Sequence, residues 1–362
     1  MMPFSCKAML MPLAAAAALI YFLAVGSCGV AAKEGAILTV SGQSAGASMC
    51  VNHLFAYSSM VKGAAIAAGS PYGCGSLILE GIACYYAMLP FQLKKLTAYA
   101  LERSKSGLID SLSNLSNVPV VLFNGRKDLV VWASEMKAVE KQLFHFGMNI
   151  KPVFNTSAGH VWSVDHGICP CGHCADGSQK IGPPRCCDVN NCGYDLSGDM
   201  FRSVYGASAV KPRKVPKNSL HFVPQKVYVP ALRESGDLAG VAKYAMVYLP
   251  SSCEADPSKC DVHINYHGCI ANDFNERRRW ANNIDLNSYG EANGIVIVYP
   301  QANGTHASGF GCWNWGFKKD DKYFDTKISY QISMSHALAK DITAALKTAV
   351  VIPNDQPAPP WN

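Results

Sequence analysis

Ile37-Leu38-Thr39-Val40-Ser41-Gly42-Gln43-Ser44-Ala45-Gly46 sets an apolar run, the pentapeptide GQSAG and an Ala- and Met-containing helical stretch in direct succession. A serine hydroxyl becomes a usable nucleophile when a sharp strand-to-helix turn lifts it out of a sheet. Flanking glycines permit the backbone angles and the close approach such a turn needs. This order predicts a nucleophile elbow with Ser44 at its tip.

The rest of the chain supplies a sheet for that elbow. Apolar runs recur with helical segments between them, which predicts a mainly parallel α/β sheet covered on both faces. Strands are expected at Ile37 to Val40, Ala64 to Ala68, Val118 to Asn124 and Lys151 to Asn155. A second group is expected at Tyr244 to Leu249, His263 to Tyr266 and Ile295 to Tyr299. Helices are expected after Ser44, around Leu93 to Arg103, from Ala133 to Phe146, around Glu276 to Ala292 and from Ile328 to Leu346. Each half alone is short of strands for a covered sheet, so one sheet shared by both halves is expected.

Two further residues complete an acyl-transfer set. The strand ending at Asn124 runs into Gly125-Arg126-Lys127-Asp128, and the next one into Ser157-Ala158-Gly159-His160. A carboxylate and an imidazole thus follow the carboxyl ends of consecutive parallel strands. The order Ser44, Asp128, His160 is that of a triad built on an α/β-hydrolase sheet. Asp128 would hold the tautomer of His160, and His160 would take and return the Ser44 proton. Asp110, Asp165 and His166 are the rivals; Asp110 follows no strand, and His166 lies further from one. One oxyanion donor is expected at the Ala45 N–H. The other is sought in Tyr266-His267-Gly268-Cys269, a strand ending in His-Gly, which resembles the loop that normally precedes the nucleophile. Here it follows the histidine. A circularly permuted chain, with residues 244 to 349 first in the unpermuted order, would explain that inversion.

Composition bounds the setting. With 362 residues, 49% hydrophobic and 16% charged, the chain can bury one large core or two moderate ones. Residues 1–32 read as a secretory signal, with Lys7 early, an apolar run from Leu13 to Val25 and the small-residue exit Val30-Ala31-Ala32. Pro12 and that exit favour removal over a retained anchor. The chain is therefore expected to be secreted and extracellular, with no membrane association after signal removal. Losing Cys6 and Cys28 with the signal leaves 13 of the 15 cysteines, a disulfide-forming number in a secreted chain. Sequons stand at Asn114, Asn155 and Asn303. The net charge of +6 is spread out. Its one basic cluster, Lys211 to Lys217, reads as a solvated connector, so no nucleic-acid partner is expected. Residues 33–352 read as a single α/β-hydrolase domain with a Cys-rich insert at about 165–220, and residues 353–362 as a Pro-rich tail. The protein is expected to act as a monomer.

At this point the chain resembles the single-domain, circularly permuted poly(3-hydroxybutyrate) depolymerases of fungal type and related secreted esterases. The matching landmarks are Gly42-Gln43-Ser44-Ala45-Gly46, Gly125-Arg126-Lys127-Asp128, His160-Val161-Trp162, Tyr266-His267-Gly268-Cys269, Tyr299-Pro300-Gln301-Ala302 and Gly311-Cys312-Trp313-Asn314-Trp315. The resemblance implies an α/β-hydrolase in which Ser44, Asp128 and His160 form the triad and Ala45 and Cys269 donate the oxyanion N–H groups. It implies Trp313 lining the crevice. Trp162, Trp313 and Trp315 also read together as an apolar wall for an acyl chain, with buried core indoles as the alternative for Trp313 and Trp315. The chain departs from the family at Ala45, at Ala47 and in the Cys-rich insert.

Cys74 with Cys84, Cys253 with Cys260, and Cys269 with Cys312 are expected as short-range or family-like disulfides. The six insert cysteines can form three more, which leaves Cys50 as a buried free thiol. Cys169-Pro170-Cys171-Gly172-His173-Cys174, with Cys186, Cys187 and Cys192, also fits a zinc site, but disulfides are the more economical account in a secreted chain. No metal and no other cofactor are expected. The functional expectation is a serine esterase acting on poly(3-hydroxybutyrate)-like polyesters or oligomers. A feruloyl or acetyl esterase on plant polysaccharide and a non-catalytic binding protein on the same scaffold are the alternatives.

Overall fold

Parallel pairing along the middle of one sheet is what gathers the expected functional loops. The computed structural model describes residues 36–77, 84, 92–167, 169–171, 188–209, 220–229, 239–269, 274–303, 311–316, 321–353 and 356–359. The expected signal segment lies outside them. The strands are β1 (Leu38–Gln43), β2 (Val61–Ala67), β3 (Pro119–Phe123), β4 (Asn149–Val153), β5 (Trp162–Val164), β6 (Val189–Asn191), β7 (Leu220–Pro224), β8 (Tyr244–Tyr248), β9 (Asp261–Tyr266), β10 (Ile295–Tyr299) and β11 (Val350–Ile352). Among the described residues, nine of these form one sheet in the order β11-β7-β8-β10-β9-β1-β2-β3-β4, while β5 and β6 pair separately.

From β10 to β4 every neighbouring pair is parallel. β8, β7 and β11 add an antiparallel flank. β1 lies between β9 and β2, with Leu38 opposite Val262 and Gly42 opposite Tyr266. The two halves of the chain therefore share one sheet, joined at its centre.

The helices are α1 (Ala45–Ala56), α2 (Leu93–Lys105), α3 (Ala133–His145), α4 (Leu196–Tyr205), α5 (Phe274–Asn283), α6 (Leu286–Asn293), α7 (Tyr330–Lys340) and α8 (Ile342–Lys347). On one face of the sheet Val40, Ile66, Leu122, Ile264 and Val298 pack against apolar residues of α1, α2, α3, α7 and α8. On the other, Ala67, Phe123, Met246 and Ile297 meet α4, α5 and α6. Both faces are covered at the centre, so β1 and β9, which alternate in sequence, are buried along their whole length.

The expected helix over Glu276 to Ala292 is two helices, α5 and α6. Asp285 interrupts it at φ 67°, a left-handed conformation that a short polar side chain tolerates, and accepts a hydrogen bond from Ser288 Oγ at 2.8 Å. The expected helix over Ile328 to Leu346 likewise breaks at Asp341. The Cys-rich segment, read as aperiodic, contains α4, capped by the Asp195 carboxylate accepting from the Gly198 N–H at 2.8 Å.

Candidate active site

β1 ends at Gln43, and Ser44 follows in a conformation a side chain rarely adopts, φ 58° and ψ −127°. Such strain persists only where the surroundings enforce it. Here the Ser44 N–H is bonded to the Ala67 carbonyl at 2.9 Å, while its own carbonyl accepts from Ala47 and Ser48 to start α1. Glycine is required on both sides. A Cβ on Gly42 would stand 2.1 Å from the Gly46 carbonyl oxygen, and one on Gly46 would stand 2.2 Å from the Tyr266 oxygen and 2.3 Å from that of His267. The start of α1 is therefore pressed against the end of β9. Ala45 is the first residue of α1, and Ser44 is half-buried.

Because β9, β1 and β3 run parallel, the loops after their carboxyl ends meet on one edge of the sheet. The Asp128 carboxylate is buried. Its Oδ1 accepts from the Val130 and Val131 N–H groups at 2.9 Å each, and its Oδ2 meets His160 Nδ1 at 2.8 Å, with Asn124 Nδ2 also donating to Oδ2 at 3.3 Å. These bonds hold the carboxylate in one orientation and turn Nε2 of the half-buried His160 away from it. Gln43 Nε2 donates to the His160 carbonyl at 3.1 Å, tying the residue before Ser44 to the histidine loop. No hydrogen bond joins the Ser44 hydroxyl to His160 among the described residues; such bonds commonly tighten when substrate binds.

The loop after β9 closes the site from the other side. A Cβ on Gly268 would lie 3.2 Å from Ser44 Cβ. His267, named in the sequence motif without a role, is buried and organises this loop. The Ala302 N–H donates to its Nε2 at 3.1 Å, so Nδ1 carries the proton and donates to the Gly268 carbonyl at 2.7 Å. In a trans peptide the N–H points opposite to the carbonyl, so this bond sets the direction of the Cys269 N–H. Trp313 Nε1 donates to the His267 carbonyl at 3.0 Å, and Cys269 is disulfide-bonded to Cys312.

The expected indole wall needs correction. Trp162 and Trp313 are both 0% exposed. Trp162 packs edge-on against Trp280 and donates to Ser197 Oγ at 3.2 Å, which makes it part of the core under the histidine loop. Trp313 packs edge-on against Tyr266 and acts through the His267 carbonyl. The half-buried Trp315 packs against the Cys74, Cys84 and Leu96 cluster. The exposed apolar surface beside the site lies instead in the loop after Asp128, where Leu129 is 64%, Val130 53% and Trp132 48% exposed. The apolar run Leu129-Val130-Val131-Trp132 was its sequence signal, hidden by the resemblance of such a run to a buried strand.

The rival groups lie elsewhere. Asp110 pairs with Lys327 Nζ at 2.8 Å and with Ser59. Asp165 pairs with the adjacent His166 at 2.8 Å, and Asp285 stands 3.7 Å from the same ring. Cys74 is joined to Cys84 and Cys253 to Cys260, and Cys50 is free and buried. In the insert Cys171 is joined to Cys192, and Cys169 is also disulfide-bonded. Cys174, Cys186, Cys187 and His173 lie outside the described residues. Asn114, Asn155 and Asn303 are exposed.

No protein-family model matches the chain. It is 27% identical over 339 residues to a poly(3-hydroxybutyrate) depolymerase of Delftia acidovorans, across 89% of this chain. It is 26% identical over 295 residues to a polyhydroxybutyrate depolymerase of Talaromyces funiculosus, covering 77% of this chain and 81% of that relative. The chain is thus similar along most of its length to poly(3-hydroxybutyrate) depolymerases. It spans 65% of the length of the Delftia relative. Two solved structures share its fold at 24% identity. One is the depolymerase from Penicillium funiculosum, with a TM-score of 0.72 over 86% of this chain and 97% of that one. The other is a serine-to-alanine depolymerase variant complexed with an R3HB trimer, with a TM-score of 0.70 over 87% and 96%. No helix among the described residues is long and apolar enough to cross a membrane.

Proposed function

We propose that the chain is a secreted serine esterase that cleaves poly(3-hydroxybutyrate)-like polyesters or their oligomers through an acyl-enzyme. The observation that carries this reading is the strained Ser44 elbow, set against Gly268 on one side and tied through Gln43 to the Asp128-bonded His160 on the other. Ser44 Oγ attacks the ester carbonyl carbon and its proton passes to His160 Nε2. Asp128 holds the imidazolium through Nδ1. The oxyanion takes hydrogen bonds from the Ala45 and Cys269 N–H groups. His160 then protonates the departing alkoxide, leaving a hydroxyacyl ester on Ser44. Water, deprotonated by His160, attacks that ester, releases the acid and restores the serine.

Kinship with depolymerases, including one complexed with an R3HB trimer, supports a hydroxyacid polyester as substrate. The exposed apolar residues Leu129, Val130 and Trp132, beside Asp128, suit contact with a water-insoluble polymer face. A circularly permuted connectivity accounts for β9 and its oxyanion loop coming after the histidine in sequence yet beside β1 in the sheet. The signal segment at 1–32, the catalytic domain at 33–352 and glycans at Asn114, Asn155 and Asn303 complete the reading.

The test is a panel of p-nitrophenyl acyl esters, hydroxybutyrate oligomers, polymer granules and feruloyl sugars. Oligomers and granules should be cleaved, and Asp128→Asn should lose about 10⁴-fold in kcat because the amide favours the wrong His160 tautomer. Trp132→Ala should lower granule turnover more than soluble-ester turnover. Cleavage of feruloyl sugars alone, or an Asp165→Asn variant more crippled than Asp128→Asn, would overturn the assignment.

A further inference from the structure

Helix α3 begins where the Asp128 loop ends, and along its length it also grips the loop that runs beside α1. Met136 Sδ accepts from the Gly69 N–H at 3.1 Å, and Gln142 brackets Tyr72, accepting from its N–H at 2.7 Å and donating to its carbonyl at 2.9 Å. Beside Met136, Glu135, only 2% exposed, accepts a hydrogen bond from Ser70 Oγ. The Ser70 N–H in turn donates to Ser48 Oγ at 3.0 Å, and the Ser48 N–H donates to the Ser44 carbonyl at 3.1 Å. A buried carboxyl at this place is not needed for packing, which an apolar residue would serve at less cost in desolvation.

We propose that Glu135 is a positioning residue of the ester-cleaving site, its carboxyl joining the helix that leaves Asp128 to the helix that carries Ser44 by way of Ser70 and Ser48. The inference rests on the ester-cleaving reading above. Its consequence is that acid and nucleophile hold their separation through a hydrogen-bonded chain rather than through apolar contact alone.

Burial pushes the Glu135 carboxyl up to about 8; the Ser70 bond opposes this and the Asp128 carboxylate adds to it. Glu135 is thus neutral at pH 7. Asp128, from the acid loop, is the charge that acts on it, whereas Ser70 and Ser48, from the other two elements, are neutral. Above about pH 8 a second negative charge forms beside Asp128. Water drawn to this desolvated charge opens the contact between the two helices and loosens the chain to Ser44. A triad whose base must be neutral has no alkaline limb of its own, so a fall in kcat there is a signature of Glu135.

The experiment measures kcat and KM on p-nitrophenyl butyrate from pH 6 to 10 for the full-length protein and for Glu135→Ala and Glu135→Gln, with melting temperatures as the check on folding. Wild-type kcat should fall above pH 8 at nearly constant KM. Glu135→Ala should lose about tenfold in kcat at pH 7, and Glu135→Gln, which still accepts from Ser70, should restore it to within about threefold. Glu135→Gln should also lack the alkaline fall. If Glu135→Gln keeps that fall, or if a folded Glu135→Ala matches wild type, the proposal is overturned. A folded wild type without esterase activity would sink the ester-cleaving reading and this one with it.

Discussion

His263 shows how one buried side chain sets a property of the whole protein. It faces β1 from β9 on the same side of the sheet as Asn265, where neighbouring strands present apolar residues. Asn265 Nδ2 donates to Ser41 Oγ at 2.8 Å, the Ser41 hydroxyl donates to His263 Nε2 at 2.7 Å, and Nδ1 donates to Thr39 Oγ1 at 2.8 Å. Burial pushes the imidazole down to about 3. Between the unfolded value near 6.5 and that value, the unfolded chain binds a proton the folded protein refuses. Stability therefore falls as pH drops from about 6.5 towards 3, by up to about 1.4 kcal/mol per pH unit for this group. His336, also pushed down by burial, to about 4, adds to the same trend. Urea unfolding at pH 4 to 7 should show a shallower pH slope for His263→Gln than for wild type. Equal slopes would mean that His263 binds its proton as readily in the folded protein as in the unfolded chain. The sequence did not reveal this network, because the pairing of β1 with β9 that brings Thr39 and Ser41 to His263 and Asn265, and the packing of α4 and α5 over them, leave no mark on the residues themselves.

At the scale of elements, the contact between the start of α1 and the end of β9 decides whether there is a site at all. Gly46→Ala would place a Cβ within 2.3 Å of two carbonyl oxygens. Overpacking of this kind costs about 1–3 kcal/mol, and the backbone most free to yield is the His267–Cys269 loop. The variant should melt lower than wild type and lose kcat with KM little changed. A Gly46→Ala variant with wild-type kcat would mean that the loop after β9 takes no part in the chemistry.

The central strands and α1, α2 and α3 were legible because their apolar runs and helical spacing agree with their burial. The elbow was legible because GQSAG directly follows a strand. α4 was hidden by its setting among cysteines and glycines, although Leu196, Met200 and Phe201 stand at helical spacing after a capping aspartate. β7 and β11 were missed because short flanking strands carry few apolar residues and depend on pairing. The breaks at Asp285 and Asp341 carry no glycine or proline to mark them. Trp162 and Trp313, of the three expected wall tryptophans, were misplaced because an indole near a site reads alike whether it faces substrate or supports the loop that does.

For the whole molecule, the pairing of β1 with β9 brings residues more than 200 positions apart to one edge of the sheet, with the Ile37 N–H reaching the Asp261 carboxylate at 2.8 Å across the same joint. Neither half holds both the nucleophile and the loop that would receive the oxyanion. The order Ser44, Asp128, His160 was legible because each residue follows its own parallel strand; the part His267 plays in the loop after β9 was not, because a hydrogen bond to its neighbour's carbonyl has no sequence signature. The most direct test of the account is to mix the purified protein with a 3-hydroxybutyrate oligomer, quench in acid during turnover and map the peptides by mass spectrometry. The account predicts a hydroxybutyryl ester on Ser44 in wild type, with both ester and turnover lost in a folded Ser44→Ala variant. Undiminished turnover by Ser44→Ala, or an acyl group carried by another residue, would contradict it.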